Sequence, residues 1–502
     1  MENSNKPKRI LFIMHMPPPV HGAAMMGKYI KDSEEINNTF DCRYVNLSTG
    51  AMGDTGAVSF HKLRTVWRIY TQSIKNTLLF KPNVVYFTPC AKGPSFCTKE
   101  FHLVQILKLL GCKIVVHLHN KGVSEVQDKW YYNWLFKRFY KGVKVILLSE
   151  LLYADVKKYV KRENVFICPN GIPEIKNYVY KPHHNEIPHI LFLSNLLIGK
   201  GVVVLLDALK ILKDKGYSFV CDFVGSETHE IDAQRFQKEV EKRGLNQMAV
   251  YQGKKYGNEK EAYFEKTDIF AFPTFYSNET FGLVNLEAMA HHIPVVSTNE
   301  GGIPDVVRDG ENGLICKKND SESLAACLLR LLDDEALRNK LGEKGYSIFK
   351  KEYTQKVLGE NMTTILEGIE WGGVKITLCR YFGKKYDEDK EAFFENADLF
   401  VFPTFYSNEC FPLVLLEAMQ HGLPCISTNE GGIPDIVKHD ESGLICERKD
   451  SQSLAKSILR LLEDEELRVK FGANGRIRYE ENFSISSFEK KMCEILKLIC
   501  EI

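Results

Sequence analysis

The sequence predicts an α/β protein of parallel sheets flanked by helices, and three observations lead there. Short apolar runs alternate with amphipathic stretches along roughly the first three quarters of the chain. The alternation comes in two series, separated by a polar stretch after Asn170-Gly171-Ile172-Pro173. The later elements of the second series then return at a constant offset of 130 residues.

In the first series RILFIMHM, NVVYFTP, KIVVHLH, KVILLS and NVFICPN read as strands. They are nearly continuous apolar runs, as expected of strands covered on both faces. The stretch Ile10 to Met14 reads as a buried first strand, because Pro17, Pro18 and Pro19 end it too early for the apolar region of a signal peptide. Lys99 to Leu110 reads as a helix between strands. The segment up to Pro188 holds three prolines and reads as an interdomain linker. The second series is HILFLS, FVCDFVG, MAVYQG, DIFAFP, PVVST and GLICKK. Helices are expected over Ser321 to Leu332, Asp334 to Leu341 and Lys350 to Ile369. Two Rossmann-like halves in series fit this pattern.

The repeat is unambiguous at sequence level. FPTFYSNE occupies 272–279 and 402–409, and STNEGGIPD occupies 297–305 and 427–435. The correspondence runs without a gap from Tyr251–Ile369 to Tyr381–Ile499. A solenoid is excluded, since its repeats span roughly 20–50 residues. The pattern reads as a tandem duplication of about half a domain. In the third part ITLCRYFG stands in for MAVYQG, followed by LFVFP, PCIST and GLICER, so four strands are expected and the front of the sheet is missing. The domains so drawn are 1–175, 176–370 and 371–502, the last a partial copy of residues 251–369.

Composition narrows the class. The chain is 44% hydrophobic and 26% charged with net charge +1, so no global field steers it to nucleic acid. No apolar run approaches the roughly 18–20 residues of a membrane span. Fourteen cysteines include no Cys-x-x-Cys pair, and several lie in strand-like runs, such as Cys221 and Cys425. Buried free thiols in a reducing compartment are the economical reading, which places the chain in the cytoplasm with no metal site.

The chemistry-bearing segment is SNETFGLVNLEAMAHHIP. Glu279 and Glu287 stand eight apart, the first in a loop after a strand, the second in a helix opened by Phe281-Gly282-Leu283. A strand–loop–helix unit of this kind places ligands at the C-terminal end of a parallel strand. Free amides at the helix start suit a phosphate, and glycine permits close approach. Glu287 can accept from both hydroxyls of a ribose, and Glu279 can reach a sugar hydroxyl.

These residues resemble the Glu-x7-Glu signature of retaining glycosyltransferases of family 4, which have the GT-B fold, and STNEGGIPDVVRDGENGLI is similar to the segment that follows it there. The resemblance covers nearly all of residues 8–370. It implies two Rossmann-like domains facing a cleft, a nucleotide-sugar donor held mainly by the second, transfer with retention, and no required metal or other cofactor. Glu279 matches the position contacting the donor sugar, and Glu287 the ribose-binding glutamate. Phe281, Gly282 and Leu283 match the loop whose backbone touches sugar and phosphate. Lys200 matches the basic residue that neutralises the leaving diphosphate. An arginine often found five residues earlier is replaced here by Ser194-Asn195-Leu196, which puts Asn195 at the donor-binding position. Gly22 and Ala23 resemble a glycine-rich turn near the diphosphate. His119 matches an active-site histidine, and His117, two residues earlier, is expected to point to the opposite side of the strand. Base recognition is expected from backbone near Gly253 and Lys254. The resemblance further implies front-face attack by the acceptor hydroxyl, with the departing phosphate as base.

Blander readings stand beside these. Glu287 could be a solvated helix glutamate, Lys200 a surface lysine, and His119 a satisfied core histidine. His21, His291 and His292 read as structural. The stretch KWYYNWLFKRFYK, Lys129 to Lys141, is either an interfacial helix seating the enzyme on a membrane that holds a lipid-linked acceptor, or an ordinary packed helix. The repeat keeps Glu409 and Glu417 at the same spacing but has Cys410-Phe411-Pro412 for Thr280-Phe281-Gly282, and no counterpart of Lys200. It is expected to be an appendage or relic without a complete donor site, its open sheet edge available for self-association.

The function expected is glycosyl transfer to an acceptor hydroxyl in surface polysaccharide or glycoconjugate assembly. The alternatives are a sugar-nucleotide epimerase of the same fold and a non-catalytic sugar-nucleotide-binding scaffold. A nicotinamide oxidoreductase is excluded by the lack of Gly-x-Gly-x-x-Gly after the first strand.

Overall fold

The computed structural model describes residues 7–48, 60–175, 185–369 and 387–500. The chain divides into two compact units, Met1–Leu378 and Cys379–Ile502.

The first unit holds two six-stranded parallel sheets. The strands of the first are β1 (Arg9–Met14), β2 (Asp41–Asn46), β3 (Val84–Phe87), β4 (Ile114–Leu118), β5 (Lys144–Leu147) and β6 (Val165–Ile167), in the order β2-β1-β3-β4-β5-β6. Five of them are the apolar runs read from sequence. The sixth, β2, was not among them because it is an edge strand with the polar sequence DCRYVN, and only Val45 is buried. The second sheet comprises β7 (His189–Leu193), β8 (Val220–Val224), β9 (Ala249–Tyr251), β10 (Ile269–Phe272), β11 (Val295–Thr298) and β12 (Gly313–Cys316), ordered β12-β11-β10-β7-β8-β9. All six coincide with the expected runs.

Both sheets reverse direction beside their first strand, between β1 and β3 and between β7 and β10. Loops leaving the two strands at such a point diverge to opposite faces, which opens a crevice at their carboxyl ends where ligands bind. Residues after β7 and β10 are therefore brought together although some 70 to 80 positions separate them.

The helices differ in detail from the expectation. A single π-helical turn, Phe96–Glu100, precedes the helix Phe101–Leu109. The helix from Glu335 runs on to Glu352, well past Leu341. No continuous helix spans Lys350 to Ile369: the chain breaks at Tyr353-Thr354 and restarts as Gln355–Gly368, with the Thr354 hydroxyl accepting from the Val357 amide at 3.3 Å. At the break Ile172 and Thr354 form a parallel bridge, with Ile172 N donating to Tyr353 O at 2.9 Å and Gln355 N to Ile172 O at 2.8 Å. Gly171 permits this crossing, since a Cβ there would lie 2.3 Å from Thr354 O. Past it, Gln355–Gly368 packs on the first sheet. Leu358, Met362, Ile365 and Leu366 share a core with Ile10, Phe12 and Met14.

The second unit contains β13 (Phe400–Phe402), β14 (Cys425–Thr428) and β15 (Gly443–Cys446), a parallel sheet ordered β13-β14-β15. The expected strand ITLCRYFG lies outside the described residues, as does most of the linker before Pro188. The registers of β14 with β13 and β15 repeat those of β11 with β10 and β12. Burial does not repeat. β10 is buried throughout between β7 and β11, whereas β13 pairs only with β14 and is half-buried. Phe488, Met492, Ile495 and Leu496, the counterparts of the four buried residues of Gln355–Gly368, are 39–60% exposed.

Among the described residues no helix is long and apolar enough to cross a membrane, and no cysteine is disulfide-bonded.

Candidate active site

A cavity of about 290 Å³ opens in the cleft between the two sheets of the first unit. Its walls come from both: Gly22, Ala23, Met26, His119 and Asn170 on one side, Ser194, Lys200, Phe272 and Glu279 through Val284 on the other. Of the residues singled out in the sequence, Gly22, Ala23, His119, Lys200, Glu279, Phe281, Gly282 and Leu283 meet here. Asn195, Gly253, Lys254 and Glu287 are not part of the cavity wall.

Lys200 ends a short 3-10 turn after β7, and Glu279 closes the loop after β10. Their side chains form an ion pair across the switch point, only 17% and 12% exposed. The Lys200 ammonium also lies 4.9 Å from the Tyr276 ring centroid and 5.4 Å from that of Phe272. Among the described residues Lys200 is the only lysine or arginine of the wall. Ser194 faces the cavity, while its neighbour Asn195 is exposed.

Gly282 caps the helix Leu283–Ala290 with φ +67°, a left-handed conformation that glycine adopts without strain. A Cβ there would meet the Asn285 amide at 2.7 Å. The Gly282 amide donates to Glu279 Oε1 at 3.1 Å, so the same carboxylate holds Lys200 and the helix entrance. The helix start adds further amides and a positive dipole end. Opposite, Gly22 and Ala23 do not form a turn. They are the first residues of a second helix, Gly22–Lys31, capped by His21 Nδ1. Two helix N-termini thus border the cavity.

Glu287 lies one turn further along its helix. Its Oε1 is 2.9 Å from the Lys260 ammonium, and its Oε2 is buried without a hydrogen-bond partner. Lys260, from helix Asn258–Glu265, carried no recognisable signal in sequence. Lys254 lies over the Tyr256 ring, and Gly253 O accepts from the Gly225 amide at 3.0 Å.

Behind the wall residue His119 stand two further imidazoles, His15 and His117. The rings of His117 and His119 are 4.2 Å apart. The expectation that His117 faces the opposite side is wrong: a strand has a period of two, so residues i and i+2 share a face. His117 Nδ1 is bonded to the Tyr86 hydroxyl at 2.7 Å. Both His119 nitrogens and Asn170 Oδ1 are buried without partners. Burial, with His15 as neighbour, lowers His119 to about 4, and burial, aided by Lys99, lowers His15 to about 3. Burial also pushes His117 well down. All three are neutral at pH 7. Unfolded, each titrates near 6.5, so between that pH and the folded value the unfolded chain binds more protons. The stabilisation from neutral burial is complete above pH 6.5 and lost on acidification, by at most about 1.4 kcal/mol per pH unit for each group. The melting temperature should fall between pH 6.5 and 4.5. His119→Asn should flatten that slope, as thermal melts across the range would register.

Thr280, given no role in the sequence reading, ties the walls together, its hydroxyl donating to His119 O at 3.0 Å. Ser149 Oγ donates to Asp305 Oδ2 at 2.5 Å, and Glu300 accepts from Lys121 across the cleft and from Lys318 at 2.9 Å. His15, Cys90 and Glu100 bring three potential metal-donor atoms within 4.8 Å, an arrangement no sequence spacing announced. Glu100 there already has the Lys99 ammonium at 3.6 Å and accepts from the Cys90 amide at 2.6 Å and Ser95 Oγ at 2.8 Å.

Comparison with known proteins gives the family. The profile of the family described as glycosyl transferases group 1 matches residues 180–348 and again 377–478, together more than half of the chain. The chain belongs to the glycosyl transferases group 1. It is 27% identical over 235 residues to the capsular polysaccharide biosynthesis glycosyltransferase CapM of Staphylococcus aureus, covering 44% of this chain and 60% of that protein. It is 28% identical over 268 residues to the amylovoran biosynthesis glycosyltransferase AmsK of Erwinia amylovora, covering 52% and 65%. In both cases it spans less than two thirds of the relative. Among solved structures, HepE of Anabaena in complex with UDP and glucose superposes with a TM-score of 0.55 at 16% identity, covering 72% of this chain and all of that one. That likeness shows the fold, GT-B, in this group 1 transferase.

Proposed function

We propose that the cavity transfers a sugar from a nucleotide-sugar donor to an acceptor hydroxyl, with retention at the anomeric carbon, in assembly of a surface polysaccharide or related glycoconjugate. The observation that carries this is the convergence of Lys200, Glu279 and the start of Leu283–Ala290 with His119 on one cavity at a topological switch point. Cleavage of a sugar–phosphate bond puts negative charge on the departing diphosphate. Lys200 and the first amides of the helix, at Leu283 and Val284, stabilise it from fixed positions. Glu279 exchanges part of its bond with Lys200 for a sugar hydroxyl. His119, neutral and unpartnered, supplies a donor and an acceptor to the sugar rather than acid catalysis. Glu287 takes the ribose hydroxyls with its free Oε2, and backbone near Gly253 and Lys254 reads the base edge. Gly22 and Ala23 approach the diphosphate from the opposite helix start.

A divalent ion is not called for, because Lys200 supplies the cation that the departing diphosphate needs. Glu279 and Glu287 both bind ligand, and neither serves as a glycosidase acid or nucleophile. The acceptor is a carbohydrate or a lipid-linked glycan entering from the first-sheet side. CapM and AmsK are named for capsular polysaccharide and amylovoran biosynthesis, which supports a pathway of that class.

The test is incubation of labelled UDP-, GDP- and dTDP-sugars with and without acceptor glycan, after a thermal-shift screen to select the donor. The transferase reading expects label in the acceptor and none in a new sugar nucleotide. Conversion of the donor without acceptor would establish an epimerase instead, and binding without turnover a scaffold.

A further inference from the structure

The helices on the outer side of the first sheet carry a surface that the transfer reaction does not use. Three of them form one layer: Phe60–Phe80, Phe101–Leu109 and Trp130–Tyr140. Tyr70 OH donates to Lys99 O at 2.8 Å, and the rings of Phe101 and Trp134 are 5.9 Å apart. The Lys108 ammonium donates to the carbonyls of Arg138, Phe139 and Lys141 at 2.7–2.8 Å. That bond set satisfies the C-terminal end of Trp130–Tyr140 and fixes it against its neighbour.

What this layer shows to solvent is unusual. In Trp130–Tyr140 the inner face, Tyr132, Phe136, Phe139 and Tyr140, is buried. The outer stripe, with its C-terminal flank, is Trp130, Tyr131, Trp134, Lys137, Arg138 and Lys141, every residue aromatic or basic. Trp130 is 81% exposed and Trp134 46%, with the Arg138 guanidinium 4.0 Å above the Trp134 ring. In Phe60–Phe80 the outward stripe includes Arg64, Trp67, Arg68 and Lys75, with Trp67 69% exposed. Neither of these two helices contains an aspartate or glutamate. Between them, Leu109 is 87% exposed. Asp128, two residues before the helix, is 3.6 Å from the Lys158 ammonium. Three of the four tryptophans of the chain thus stand in solvent on one basic layer, in a protein whose net charge is only +1.

We propose that this layer docks on an anionic lipid bilayer. Tryptophan and tyrosine seat their amphipathic rings at the headgroup level, while lysine and arginine around them meet negative lipid headgroups. Ordinary packing explains the inner face of Trp130–Tyr140 and leaves the outer one unexplained. Charge complementarity selects the occupant: an acid-free face wants a polyanion, and exposed tryptophans and leucines want an apolar phase beneath it. A bilayer supplies both. This inference does not depend on the transferase reading, since it concerns a face outside the cavity and is read by binding alone.

The experiment is flotation of the full chain with vesicles of phosphatidylcholine alone or containing about one-third phosphatidylglycerol. The chain should float with the anionic vesicles at low salt and not with the neutral ones. Removing one basic contact lowers partition about fivefold, so Arg68→Glu with Arg138→Glu should lower it by at least about 25-fold. A second variant, Trp130→Ser with Trp134→Ser, should also bind weakly while the wild type shows a blue-shifted tryptophan emission on vesicles. These side chains are exposed, and unchanged melting temperatures will show that the variants fold. Equal binding of wild type and both variants, no flotation with anionic vesicles, or complete competition by soluble polyglutamate would overturn the proposal, the last by making an acidic protein the occupant.

Discussion

Lys200→Ala lowers kcat/KM for sugar transfer by about two to three orders of magnitude, as expected when one preorganised donor to a developing oxyanion is removed. The size follows from its isolation. Where the related pattern often has an arginine five residues before the lysine, this chain has Asn195, which is exposed, and Ser194 takes the place in the cavity. Among the described residues no second lysine or arginine lines the wall. The substitution also leaves the Glu279 carboxylate, 12% exposed, without its partner, so some loss of stability accompanies the loss of rate. Steady-state kinetics and a thermal melt on the same variant separate the two. A rate within threefold of wild type would mean that the diphosphate is held elsewhere.

Met362→Ala costs about 2–5 kcal/mol of stability, whereas Met492→Ala, at the corresponding position of the repeat, costs less than about 0.5 kcal/mol. Met362 is fully buried in a core shared with Phe12, Met14 and Met26, and truncation there leaves a cavity. Met492 is 39% exposed and has little to lose. Urea titrations of dilute protein measure both. An equal cost at the two positions would mean that the face of Ile485–Cys500 is covered in solution, as self-association through residues 371–502 would do.

Much of this was legible in the sequence, for a physical reason. Strands buried on both faces need continuous apolar runs, so eleven of the twelve strands in the two large sheets announced themselves. β2, at a sheet edge with one face in solvent, did not. The loop–helix unit from Glu279 to Glu287 was readable because its chemistry is local: a carboxylate, a glycine forced to positive φ and a helix start fall within nine residues. What sequence could not supply was long-range company. Thr280 reaching His119 and Lys260 reaching Glu287 depend on segments that follow different strands coming together. The break at Thr354 was hidden because residues on both sides favour helix, and the bridge to Ile172 together with the Thr354 cap fixes it.

The repeated carboxylates give the sharpest test. Glu417 keeps an ion pair with Lys390 at 2.7 Å, mirroring Glu287 and Lys260 at 2.9 Å. Glu409 has no ion-pair partner among the described residues, and Pro412 removes the amide that Gly282 supplies at the other site. Glu279→Gln and Glu409→Gln should therefore be compared in one transfer assay with the same donor and acceptor. Glu279→Gln should lose at least about a hundredfold in rate, and Glu409→Gln should leave it unchanged. A reversed result, with Glu409→Gln inactive and Glu279→Gln active, would contradict this and place the working site in the repeat.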